Sequence, residues 1–81
     1  MTREAVFEKL NTIFRDNFDD DEICLTDETS AEDIEDWDSL EHIRLIAAVE
    51  REFGMRFKMG EVSTMKNVGE MVSIIAARAT K

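Results

Sequence analysis

The chain has 81 residues, 43% of them apolar, and a net charge of -9 from 19 acids and 10 bases. A chain of this size makes one domain over residues 1–81 and buries only about 60% of its unfolded surface, which leaves room for a small core but no deep catalytic cavity. The acidity excludes nucleic-acid binding, no apolar run spans a membrane, and one cysteine with one histidine, Cys24 and His42, excludes an internal disulfide and the usual structural zinc sites.

Residues from Thr2 to about Asn17 have helical periodicity. Val6, Phe7, Leu10, Ile13 and Phe14 recur at three- and four-residue steps, with Glu4 in the first turn. Asn and Asp side chains compete for the backbone after Asn17 and end the helix. The N-terminus mixes charge into its apolar pattern and does not read as a signal peptide, so a monomeric protein in a reducing cytoplasm is expected.

Asp19 to Asp38 is a long connection. Twelve acids and no Lys or Arg lie between Asp16 and Asp38, while the rest of the chain holds 7 acids and 10 bases. The net charge therefore comes from one stretch, suited to a solvated loop and to steering basic partners. Ile23, Leu25, Ile34 and Trp37 are expected to pin the loop to the core, and Thr29 or Ser30 to cap a short helical turn. Cys24 is expected to be buried. The spacing does not fit an EF-hand, which needs Gly at the sixth position of its loop, because no glycine precedes Gly54.

Ser39 to Phe53 is the clearest helix, about 22 Å long, capped by Asp38 or Ser39 and stopped by Gly54. Its apolar arc is wider than one core-facing stripe. Leu40 and Ala47 lie at the edge of that arc, as core rim or as a strip offered to partners, and His42 lies within it. Met55 to Gly60 is extended with Phe57 as anchor, and Glu61 to Met65 forms one turn. Asn67, with Glu70 three residues on, opens the last helix on Val68, Met71, Val72, Ile75 and Ala79. The expected fold is all-α: a small bundle of three main helices and one short helix, with a long first loop.

No phosphate loop, catalytic constellation or metal-ligand set stands out, so no catalytic or metal site is expected. The Asp38-Ser39-Leu40 triplet at the start of the strongest helix remains, and alone it reads as an ordinary cap. In its context, DWDSLEHIRLIAAVEREFGMRF, it resembles the carrier proteins of the acyl carrier family, and the likeness extends over essentially the whole chain.

The resemblance implies a carrier and not an enzyme. The Ser39 hydroxyl would be joined through a phosphodiester to 4'-phosphopantetheine from coenzyme A by a phosphopantetheinyl transferase. The arm's thiol would carry acyl groups as thioesters to acyl-activating, acyltransferase or synthase enzymes with basic patches. Asp38 matches the acid before the serine, and Leu40 the exposed leucine that partners contact. Glu41 and Glu50 match acids of the recognition helix, and Met65 an apolar position beside the arm. Ile43, Ile46, Val68 and Val72 are candidates for an acyl pocket or for simple core.

Arg44 and Arg51 stand where fatty-acid carriers typically have acids, which places Arg44, with Ala47, on a partner face of mixed sign. Lys58 replaces a common proline. Trp37, two residues before the serine, is more similar to stand-alone carriers of specialised pathways such as polyketide biosynthesis than to fatty-acid carriers. An aminoacyl or peptidyl carrier, and an unmodified acidic adaptor, are the alternatives.

Overall fold

Each long helix begins where a short polar side chain takes over a backbone N–H that the helix itself leaves unpaired. The computed structural model describes residues 1–80, which form α1 (Arg3–Phe18), α2 (Ser39–Phe53), α3 (Met59–Thr64) and α4 (Val68–Arg78). Thr2 Oγ1 accepts the Ala5 N–H at 3.1 Å, Asp38 Oδ1 the Glu41 N–H at 2.9 Å, and Asn67 Oδ1 the Glu70 N–H at 2.9 Å. The helices stop at residues in the left-handed region or in extended backbone. Gly54 has φ 61° after α2, and Asp19 has φ 51° after α1, where a short polar side chain tolerates that conformation.

The core is built from one stripe of each long helix. Val6, Leu10 and Phe14 of α1, Leu45, Val49 and Phe53 of α2, and Val68, Val72 and Ile75 of α4 have no exposed surface. α1 packs against both α2 and α4. α3 buries none of its residues fully. It is held instead by a two-pronged ion pair, in which Arg78 Nη1 and Nη2 donate to Glu61 Oε1 and Oε2 at 2.5 and 2.6 Å.

The long loop alternates inward and outward as extended backbone does. Ile23 and Leu25 point into the core and Cys24, between them, is exposed, contrary to the expected burial. Side chains of α1 tie this stretch down: Arg15 Nε donates to the Ile23 carbonyl and Asn11 Oδ1 accepts the Leu25 N–H, both at 2.8 Å. Further along, the first N–H groups of α4 reach out to the loop. Val68 N–H donates to the Thr29 carbonyl at 2.8 Å and Gly69 N–H to the Asp27 carbonyl at 3.0 Å. Position 69 is glycine for this reason, since a Cβ there would lie 2.8 Å from two oxygens of Asp27.

The short turn expected near Thr29 is present, and two other local expectations are revised. The helical turn expected near Thr29 is a single turn closed by Asp33 N–H on the Ser30 carbonyl. The Asp33 carboxylate takes the Ser30 N–H at 2.9 Å, the same reach-back to a cap N–H that opens α3. α3 starts two residues before the expected turn because the Glu61 carboxylate reaches back to the Lys58 N–H at 2.8 Å, which ties the helix start to Lys58. At α4, Glu70 completes the end not on Asn67, as a capping box would, but on the Lys66 N–H one residue earlier. Among the described residues no helix is long and apolar enough to cross a membrane.

Candidate functional site

Because Asp38 supplies the cap of α2, the side chain of Ser39 is not needed for it. Ser39 is the first helical residue and is exposed, as are Asp38 and Leu40 on either side. The carbonyl of Asp38 also accepts the His42 N–H at 2.9 Å, so the first turn is fully formed. An N-terminal turn of this kind presents N–H groups and the positive end of the helix dipole to whatever is attached at its first residue.

Ser39 opens onto a groove of about 470 Å³ between the end of the long loop, the start of α2 and the α3–α4 corner. Trp37, Ile43, Val62, Met65 and Met71 give it apolar walls, while Asp38, Lys66 and Asn67 give it a polar rim. Met65, placed beside the site by resemblance, lines this groove and is half-buried. Of the four acyl-pocket candidates, Ile43 lines it and remains 64% exposed. Ile46, Val68 and Val72 are buried in the core and do not face the groove.

A bridge of side chains shapes the groove. Trp37 Nε1–H donates to His42 Nδ1 at 3.0 Å. An indole nitrogen only donates, so His42 Nδ1 is the acceptor and the proton lies on Nε2, which faces the Val62 carbonyl at 3.3 Å. One imidazole thus joins the loop, α2 and α3. The Trp37 ring also meets Phe14 edge-on, with centroids 5.2 Å apart, and Phe18 at 6.3 Å. The loop is therefore anchored in the core two residues before Ser39.

The residues expected on the partner face separate into two groups. Leu40, 60% exposed, and Arg44 and Ala47, also exposed, lie on the open side of α2. Glu41 and Glu50 are half-buried and each commits an oxygen to an internal donor. Glu41 Oε2 accepts from Asn17 Nδ2 at 3.3 Å, and Glu50 Oε2 accepts the Phe57 N–H at 2.8 Å. Sequence reasoning did not single out Lys66, Val62 or the bridging role of His42. The only local cue to the bridge is the five-residue spacing of Trp37 and His42 across a helix start. Despite the acids in the long loop, no three His, Cys, Asp or Glu side chains gather to hold a metal ion among the described residues.

A four-helix bundle that exposes a serine at a capped helix start, beside an apolar groove, has the layout of a small carrier domain. No family model matches the chain. It is 33% identical over 75 residues to the acyl carrier protein of Lactobacillus acidophilus, covering 93% of this chain and 94% of that one. It is 35% identical over 78 residues to the acyl carrier protein of Petrotoga mobilis, covering 96% and 92%. The solution NMR structure of a holo acyl carrier protein from Geobacter metallireducens superimposes with a TM-score of 0.84 at 44% identity, covering 89% of this chain and 83% of that one. The chain belongs to the acyl carrier protein family, whose members are carriers and not enzymes.

Proposed function

We propose that Ser39 carries 4'-phosphopantetheine through a phosphodiester, and that residues 1–81 act as one monomeric cytoplasmic unit delivering acyl thioesters to biosynthetic enzymes. The observation that carries this reading is the exposed Ser39 at the first position of α2, with its cap supplied by Asp38 and an apolar-walled groove beside it. The holo state of the Geobacter relative supports it.

The residues present fit such a group. The start of α2 favours a phosphate through its N–H groups and dipole, and Lys66 on the rim of the same groove adds a cation. Asp38 holds the first turn in place, and family resemblance assigns its carboxylate to the metal of a transferase. Trp37, Ile43, Val62 and Met65 offer apolar contact to an arm lying along the groove. The arm itself supplies a thiol whose thioesters are good acyl donors. Cys24, exposed on the long loop and absent from the groove lining, has no part in this chemistry.

The pathway we assign is a specialised one and not the central fatty-acid cycle. Trp37, built into the core beside Ser39, and Arg44 and Arg51 on α2 support that reading. Incubating the modified protein with acyl- and aminoacyl-activating enzymes in parallel separates an acyl carrier from the aminoacyl or peptidyl alternative; loading by aminoacyl enzymes alone would make the chain an aminoacyl carrier.

The carrier chemistry is tested by intact mass after incubation with coenzyme A and a broad-specificity phosphopantetheinyl transferase. The native chain gains one phosphopantetheine and Ser39→Ala gains none. A folded native chain that gains nothing overturns the reading and leaves an unmodified acidic adaptor in its place.

A further inference from the structure

The outward line of α2 does not share the sign of the protein. At 100° per residue, Leu40, Arg44, Ala47 and Arg51 fall within a narrow arc opposite the buried Leu45, Ile46, Val49 and Phe53. All four are exposed, and exposed Ile43 flanks them on the side of the groove. The line therefore reads apolar, cation, apolar, cation.

The nearest carboxylates keep their charge but flank this line, Glu41 about 60° round the helix from Arg44 and Glu50 about 100° from Arg51. Glu41 and Glu50 are held by Asn17 and the Phe57 N–H. Arg44 meets Glu41 only loosely, at 3.7 Å and with 67% of its side chain exposed, a separation that contributes little in water. Arg51 has no ion pair among the described residues, and Arg56, exposed just past the end of α2, lines the same shallow surface as Ala47, Glu50 and Arg51, giving that surface two cations to one carboxylate. Glu52 is exposed but sits about 100° round the helix from Arg51. A chain of net charge -9 thus presents, along one line of α2 that starts next to Ser39, two exposed arginines alternating with exposed Leu40 and Ala47.

We propose that this strip docks an acidic surface on a partner protein, with carboxylates about 10 Å apart that meet Arg44 and Arg51 across apolar contacts to Leu40 and Ala47. In naming that partner as an enzyme that uses the carrier, the proposal rests on the reading above; the docking itself does not require Ser39 to be modified. A basic partner is rejected at this strip by like charge and is left to the acidic segment between Asp16 and Asp38.

The test uses two helical peptides as probes, one with two glutamates seven residues apart around a leucine and an alanine, the other with lysines in place of the glutamates. Each is titrated into the isotopically labelled full chain, as native and as Ser39→Ala, and followed by amide shifts. The glutamate peptide shifts amides from Leu40 to Arg56 in both, and binds less tightly as salt is raised. Arg44→Glu with Arg51→Glu lowers its affinity at least about tenfold while the dispersed amide spectrum shows the fold intact. The milder Arg44→Gln with Arg51→Gln gives a smaller loss in the same direction. Binding of the lysine peptide to α2, or no α2 response to the glutamate peptide, overturns the proposal. Because Ser39→Ala keeps this binding, a failed docking test and a failed modification test are separate results.

Discussion

Gly69→Ala isolates the clamp between the long loop and α4. A Cβ at this position would lie 2.8 Å from both the carbonyl and a carboxylate oxygen of Asp27 and 3.1 Å from its Cβ, against 3.4 Å for ordinary contact. Neither oxygen gives way freely, since the carbonyl accepts the Gly69 N–H and the carboxylate is paired with Arg3. Overpacking of this kind costs about 1–3 kcal/mol, and a weakened loop hydrogen bond adds about 1 kcal/mol. Alanine returns about 1 kcal/mol through its higher helix propensity. The net loss is about 2 kcal/mol, which lowers Tm by about 8–16 °C in a domain of this size. Thermal unfolding followed by circular dichroism measures it. A variant as stable as the native chain, or more stable, would show that propensity alone governs the site and that the loop does not bear on α4.

His42→Ala removes the bridge between Trp37 and Val62, leaves the half-buried indole N–H without its acceptor, and is expected to cost about 1–3 kcal/mol. Hydrogen exchange of α3 amides should quicken more than that of α1; unchanged α3 protection would show that the bridge does not hold α3. Glu61→Gln addresses the fork with Arg78. The Arg78 hydrogen bonds, with the Lys58 N–H second, hold the Glu61 carboxyl below the usual carboxylate range. Its stabilising contribution is therefore complete above the ordinary glutamate pKa, about 4.3, and is lost as pH falls through the lower folded value. Urea unfolding across a pH series should show the native chain more stable than Glu61→Gln at neutral pH, with the two converging in acid. A gap that is the same at every pH would remove the fork from the acid response.

Much of the fold was legible because it rests on local signals. The 3.6-residue apolar period of α1, α2 and α4, the opening of α4 at Asn67 and the stop of α2 at Gly54 are written in neighbouring residues, and each holds in the structure. Where such signals are weak, the reading slipped. α3 is six residues long with no buried side chain, so periodicity does not mark its start. Cys24 was assigned by residue type, which favours burial, whereas the alternation of extended backbone between Ile23 and Leu25 turned it outward. The candidate serine was legible from a triplet in its context, but whether Asp38 or Ser39 served as the cap was not, since both side chains are competent to cap.

By itself the sequence determined four helices in order, a core stripe on each long one, an acidic segment without a base, and a serine at the head of α2. Only the tertiary structure decided how those parts meet. It joined Trp37, His42 and Val62 across three elements, and set Lys66 in the same groove as Ser39. It drew Glu41 and Glu50 toward Asn17 and the Phe57 N–H and left Arg44 and Arg51 exposed. Helix formation depends on residues three and four apart, so a linear pattern carries it. Which charge remains free depends on which distant donor the fold brings within hydrogen-bond reach, and that is a property of packing.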